Sequence, residues 1–253
     1  MSDATSPVDV SGVADRLDAI RFETGHRRPR IFRDWTILMV SALARDDETY
    51  NDRLDKYAPA EDDMEQRREL ATAFSEAFGE LVIAAREAER PVIGDVYEQI
   101  GAQADDFGQY FTPWDLCRLK AQLITDGRNP DASQDEPMSV SDPTCGSGRL
   151  LVAGAKRLRE QHPDTPVVAT GVDKDATCAR MAVINLALAG VPGKIRYGDS
   201  LTMEGHREWV IDPTDTDPAV REVDPADSEP DEPDSDLQTE QAALSEVRTD
   251  GGD

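Results

Sequence analysis

The chain has 253 residues, 38% of them apolar, which suffices for one core of moderate size with appendages. Its 52 Asp and Glu against 27 Lys and Arg give a formal charge of -25, a balance that argues against holding a phosphate backbone by bulk charge. The longest apolar run, residues 37–44 broken by Ser41, is far short of the ~20 residues a membrane helix needs.

The polar, acidic opening "MSDATSPVDV" reads as a disordered leader over residues 1–10, and together with the missing membrane span it predicts a soluble, cytoplasmic protein. Three cysteines lie far apart with no CxxC pair, and His26, His162 and His206 make no ligand spacing with them, so neither a disulfide framework nor a metal is expected. Fifteen of the acids and only two arginines fall in residues 212–253, yet the rest of the chain is acidic as well. Acidity over a whole body suggests a halophilic cytoplasm.

Residues 11–100 are expected to form a helical N-terminal region. Ile31, Trp35, Leu38 and Ala42 recur at helical steps, and so do Leu70, Phe74, Ala77, Phe78, Leu81 and Val82. The basic cluster "HRRPRIFR" reads either as a solvated turn or as a contact for nucleic acid or a partner. Pro91 closes this region and "VIGDVYEQI" starts another helix. After the loop "GAQADDFGQYFTP", Thr112 is placed to cap a helix with Pro113 at its first position, and "TDGRNPDASQDEP" then reads as an exposed connection.

Residues 101–211 are assigned to an α/β domain. "MSVSDP", "PVVATGVD" and "KIRYGDS" read as strands, separated by helices over 149–161 and 177–189, an alternation that predicts a parallel sheet. Residues 212–253 hold too little apolar surface to offset the entropy of ordering and are expected to be a disordered acidic tail.

The stretch "SDPTCGSGRLL" brings backbone N–H groups and a helix start to the carboxyl edge of the sheet, where open α/β sheets bind ligands. It ends in Gly-Arg-Leu where a Walker A loop has Gly-Lys-Ser/Thr, and Leu151 stands where a dinucleotide fingerprint has its third glycine. Asp173 ends the second strand, where a carboxylate takes ribose hydroxyls. Asp199 ends the third, beside the place of a purine amine, and Asp142 opens the glycine turn, a poor neighbour for polyphosphate and a good one for a cationic amine. Together the three acids describe an adenosyl group carrying a charged amino acid, S-adenosylmethionine.

"FGQYFTP", "SDPTCGSGRLL", "GVDKDATCARMAVINLALAG" and "YGDSL" resemble, in this order, the motifs of adenine-N6 DNA methyltransferases, in particular the modification subunits of type I restriction systems. "GDVYEQI" and the helices from about residue 30 are similar to the lead-in of shorter methylase-like proteins of mobile elements, so the resemblance spans roughly residues 30–205. It implies a shortened Rossmann-like methyltransferase sheet behind a helical region. It also implies that Tyr110, Phe111, Thr112 and Pro113 line the methionine end of the cofactor, that Asp142, Gly146 and Gly148 cradle it, and that Asp173 holds the ribose and Asp199 with Ser200 the adenine. Each residue has a structural use too: Asp142 and Thr112 as caps, the glycines as a turn, Asp173 as a strand-end acid, Tyr110 and Phe111 as core aromatics. Cys145, inside the glycine turn, reads as a small packed residue rather than a nucleophile.

The family's base-holding tetrapeptide, Asn/Asp-Pro-Pro-Tyr/Phe, which grips an extruded adenine, does not occur in these 253 residues. The nearest stretch is "EWVIDPTD", with a short strand over 209–211 and Asp212-Pro213 as a weak candidate for the start of the motif. In the sheet that the resemblance implies, the fourth strand pairs with the first, and this leaves the first strand to be covered by the Trp209 segment, the N-terminal helices or a partner chain. The functional expectation is an S-adenosylmethionine-binding methylase-like protein acting on DNA, one half of a split enzyme whose partner chain supplies the base pocket and target recognition. The alternative is a catalytically inactive binding or regulatory module.

Overall fold

The computed structural model of the chain describes residues 8–59, 63–101, 110–126, 137–213 and 218–225. Among them the first elements are all helical: α1 (Ser11–Thr24), α2 (Arg28–Ala44), α3 (Asp47–Leu54), α4 (Met64–Ala88) and α5 (Ile93–Gln99). The helix starts follow local chemistry. Asp46 accepts the Thr49 amide and Asp63 accepts those of Glu65 and Gln66, satisfying free donors of α3 and α4. The spacing of Leu70, Phe74, Ala77, Leu81 and Ala84 puts one face of α4 in the core, and Arg16 ties α1 to it through Glu76 and Glu80.

Three arginines of the basic cluster pair with acids of the same chain. Arg28 grips Asp18 with two hydrogen bonds of 2.9 and 2.8 Å, while Arg30 and Arg33 pair with the buried Asp34.

Then follow α6 (Trp114–Thr125), β1 (Met138–Asp142), α7 (Arg149–Gln161), β2 (Val167–Asp173), α8 (Ala176–Leu188), β3 (Gly193–Asp199), β4 (Glu204–Ile211) and β5 (Val220–Val223). The strands form one sheet in the order β1-β2-β3-β4-β5. The first three are parallel, as the sequence predicts, with Asp142 opposite Gly171 and Asp173 opposite Tyr197; β4 and β5 add antiparallel. Helices α7 and α8 cover the face carrying Val167, Ala169 and Ile195, and this core runs without a break into that of the N-terminal helices. On the opposite face of β1, Ser139 and Ser141 are exposed.

Four expectations need correction. The Trp209 segment is the end of an eight-residue strand that pairs with β3, so it extends the far side of the sheet and does not cover β1. The N-terminal helices do not cover β1 either, since α2 packs on α8 and β5; among the described residues β1 has β2 as its one strand neighbour. Thr112 is not the cap of α6: Pro113, extended at φ -53° and ψ 144°, is the N-cap, and the helix starts one residue later than the Thr-Pro signal suggests. Packing reaches into both predicted tails, because Val10 is buried and residues 220–223 form β5. Most of the loop 101–113, of the connection 125–137 and of the acidic tail lies outside the described residues. No helix among the described residues is long and apolar enough to cross a membrane.

Candidate functional site

Three parallel neighbours, β1, β2 and β3, end in Asp142, Asp173 and Asp199. Strands in a sheet lie about 4.8 Å apart, so the register gathers the three carboxylates along one carboxyl edge. Asp142 accepts the Thr144 amide at 3.0 Å, folding the chain back into the glycine turn. Asp199 accepts the Leu201 amide at 2.8 Å, and Ser200 beside it is half-buried.

Asp173 is the centre of the arrangement. One carboxylate oxygen accepts the Gly146 N–H at 2.8 Å and the other the Asp175 N–H at 2.8 Å, so this side chain joins the glycine turn to the loop that opens α8. Burial raises its carboxyl above the ordinary range, the two amides lower it, and Asp175 and Asp142 add to the rise.

The turn itself needs its glycines. Gly146 and Gly148 sit at φ +53° and +75°, the left-handed region that side chains avoid. A Cβ on Gly148 would stand 3.0 Å from the Cβ of Ala182, so the turn lies directly on α8. From α8, Asn185 donates 2.7 Å to the Ser147 carbonyl. Helix α7 starts at Gly148 without a side-chain cap, which leaves its first amides to a ligand or water. Cys145 is buried, and burial holds its thiol well above the ordinary value, which suits the packed role and no nucleophile.

The segment 110–113 lies against this turn. Phe111 stands 3.4 Å from the position of a Cβ on Gly146 and meets Tyr97 edge-on. Its amide donates to Glu98 at 2.9 Å. Tyr110, Thr112 and Pro113 are exposed, and Tyr110 is 84% so.

Arg149, Asp95 and Glu98 escaped the sequence reading. Arg149, the first residue of α7, is buried and donates to Asp95 of α5 at 2.6 Å and to the Thr112 carbonyl at 3.4 Å. Asp95 also takes two bonds from Arg90. The lead-in helix α5 is thereby fastened to both walls of the site. Its acids three residues apart in "GDVYEQI" were the available signal.

Asp212 and Pro213 are not brought to this edge. Because β4 runs antiparallel to β3, Ile211 pairs with Gly193, and Asp212 lies at the amino edge, about 20 Å of strand from Asp199. Among the described residues no group of three His, Cys, Asp or Glu is arranged to hold a metal.

This assembly sets a glycine turn and an uncapped helix beside three strand-end carboxylates, at the carboxyl edge where open α/β sheets bind ligands. A profile of the N-6 DNA Methylase family matches residues 88–221, just over half of the chain, and the chain belongs to that family. It is 31% identical over 107 residues to the type II methyltransferase M.MamI of Microbacterium ammoniaphilum, covering 39% of this chain and 30% of that protein. It is 26% identical over 129 residues to the type I restriction enzyme MjaIX methylase subunit of Methanocaldococcus jannaschii, covering 49% of this chain and 22% of that one. The matches thus span less than a third of these relatives. Among solved structures, it is similar to the type I restriction-modification methyltransferase subunit of Streptococcus thermophilus, with 18% identity and a TM-score of 0.38 over 76% of this chain and 57% of that one.

The residues present fit S-adenosylmethionine. Positive-φ glycines keep the turn open, the first amides of α7 carry no side-chain cap, and the carboxylates suit a ligand with a ribose and a positive charge.

Proposed function

We propose that the chain is the cofactor-binding part of an S-adenosylmethionine-dependent adenine-N6 DNA methyltransferase, and that the base-gripping tetrapeptide and target recognition belong to a segment or chain other than these 253 residues. The observation that carries the reading is the Asp173 carboxylate, fixed by the Gly146 and Asp175 amides between Asp142 and Asp199. In this reading Asp173 takes the ribose hydroxyls, Asp199 and Ser200 the adenine, and Asp142, Gly146 and Gly148 the methionyl end, with the segment 110–113 closing over it. When bound, the cofactor supplies a methyl group on a sulfonium. The chain's own part is to orient that ligand, to offset its charge with the carboxylates and to shield one side of it with Phe111.

The experiment is a calorimetric titration of S-adenosylmethionine into the protein at high KCl, alongside Asp199→Ala and Asp173→Asn, with each variant's melting curve recorded. Saturable binding that weakens about tenfold or more in folded variants supports the reading. Folded wild-type protein that takes up no cofactor overturns it.

A second reading, a module that binds cofactor without methylating, is favoured by the position of Asp212 and Pro213 at the opposite sheet edge. Adenine methylation of DNA on addition of a chain bearing Asn-Pro-Pro-Phe separates the two. Activity supports the split enzyme, whereas cofactor binding with no methyl transfer in any such mixture supports the module.

A further inference from the structure

A cleft of about 190 Å³ lies between the N-terminal helices and the sheet, apart from the cofactor site, and Arg53, Arg180 and Arg207 line it together with Tyr197 and Trp209. Two acids share its walls. Glu222 pairs with Arg207 at 3.2 Å, and Asp46 accepts the Thr49 amide at the start of α3. Arg53 donates to Asp34 at 3.1 Å, but that one buried carboxylate also serves Arg30, Arg33 and the Tyr57 hydroxyl. In a chain with nearly twice as many acids as bases, this is a local excess of guanidinium.

Arg180 is the cation left over. It is 8% exposed and its donors reach two neutral hydroxyls, Thr36 at 3.1 Å and Thr177 at 3.3 Å. Among the described residues its guanidinium has no ion-pair partner. Burial brings it down to about 10; Asp175 opposes that fall, and the like charges of Arg33, Arg53 and Arg207 add to it. Close by, the Nε of Arg53 and the indole Nε1 of Trp209 are buried donors without a hydrogen-bond partner. Burying a cation without a counter-charge is costly, and guanidinium forks match oxyanions in geometry as well as charge. The chain's overall acidity gives no long-range attraction for an anion, so any affinity has to come from these local donors.

We propose that this cleft binds a small tetrahedral oxyanion of the phosphate type, held by Arg180 together with Arg207 and Arg53. Its volume admits a free oxyanion of this kind. An ion seated there fastens α2 and α3 to α8 and β4, and it does so independently of the cofactor site.

The test is a calorimetric titration of inorganic phosphate into the full chain at fixed ionic strength, with acetate as the comparison. One saturable site is expected, weakened at least tenfold in Arg180→Gln and severalfold in Arg207→Gln, with wild-type affinity in Arg118→Gln on the exposed side of α6. Absent saturation, equal binding of acetate, or equal weakening by Arg118→Gln overturns the proposal. Arg207 is half exposed, so its variant keeps the test decisive if Arg180→Gln does not fold: wild-type phosphate affinity in Arg207→Gln overturns the site.

Discussion

Asp173 accepts two backbone amides with one carboxylate, which gives it a structural duty beside its proposed one. Replacing it with alanine strands both N–H groups, at about 1–3 kcal/mol for each buried donor, so we predict that Asp173→Ala melts well below wild type before any cofactor is added. Asp173→Asn keeps one acceptor and should fall between the two. The pH dependence follows from the raised carboxyl. The unfolded chain releases this proton at the ordinary value and the native state only at a higher one, so stability contributed by this group falls as pH rises through that interval. The deficit of Asp173→Asn relative to wild type should therefore narrow with rising pH in melts taken across that interval; a widening deficit sinks the assignment. At Gly148 the argument is steric. An alanine there meets both a left-handed backbone, at roughly 1–2 kcal/mol, and Ala182 at 3.0 Å. Gly148→Ala should lower the melting temperature and weaken cofactor binding together, whereas Gly25→Ala, with φ +69° and open space around it, should show the backbone cost alone.

The elements around the glycine turn were legible because their signals are local. Proline and glycine punctuate β1, α7, β2, α8 and β3, and the apolar period switches cleanly between two and nearly four, so helix 149–161 and the three strands fall within a residue or two of their predicted places. Strand β4 was only glimpsed at residues 209–211, because its first four residues, Glu204 to Arg207, are exposed and offer no alternation of buried and exposed faces. Strand β5, Val-Arg-Glu-Val amid acids and prolines, is held by pairing that its own sequence does not announce. Of the candidate site, the strand-end acids and the glycines of the turn were legible, and the register brings them to one edge. The fastening of the site was not, since Arg149 and Asp95 stand 54 residues apart and meet only in the fold. That fastening leads to a prediction at the scale of the element. Arg149→Met keeps the bulk of the buried side chain but releases Asp95 and the Thr112 carbonyl, so exchange of the hydrogen-bonded amides of Phe111 and Cys117 should quicken by an order of magnitude or more while β2 stays protected. Uniform quickening in both places would mean that Arg149 supports the whole core rather than this wall.

Across the whole molecule the charge of -25 is the dominant long-range term, and it is unevenly distributed. The described ion pairs engage many of the arginines with local acids, among them Arg16, Arg28, Arg53, Arg67 and Arg196, so the surplus acids repel one another without nearby cations to offset them. Such repulsion destabilises a compact state, and salt relieves it as the screening length shortens from about 10 Å at 0.1 M to about 3 Å at 1 M. Short-range pairs that are partly buried, such as Arg196 with Glu208, are screened far less. We therefore predict that the melting temperature climbs with KCl between 0.1 and 1 M, and that removing residues 226–253, which carry ten acids and one arginine, lowers the slope of that rise while leaving the melting temperature at 1 M nearly unchanged. Potassium phosphate at matched ionic strength provides an internal comparison, because an oxyanion site adds a saturable increment that KCl lacks and that Arg207→Gln shifts to higher phosphate. A slope unaltered by truncation would place the repulsion in the folded body, and a melting temperature that falls with KCl would show that attractive surface pairs outweigh it.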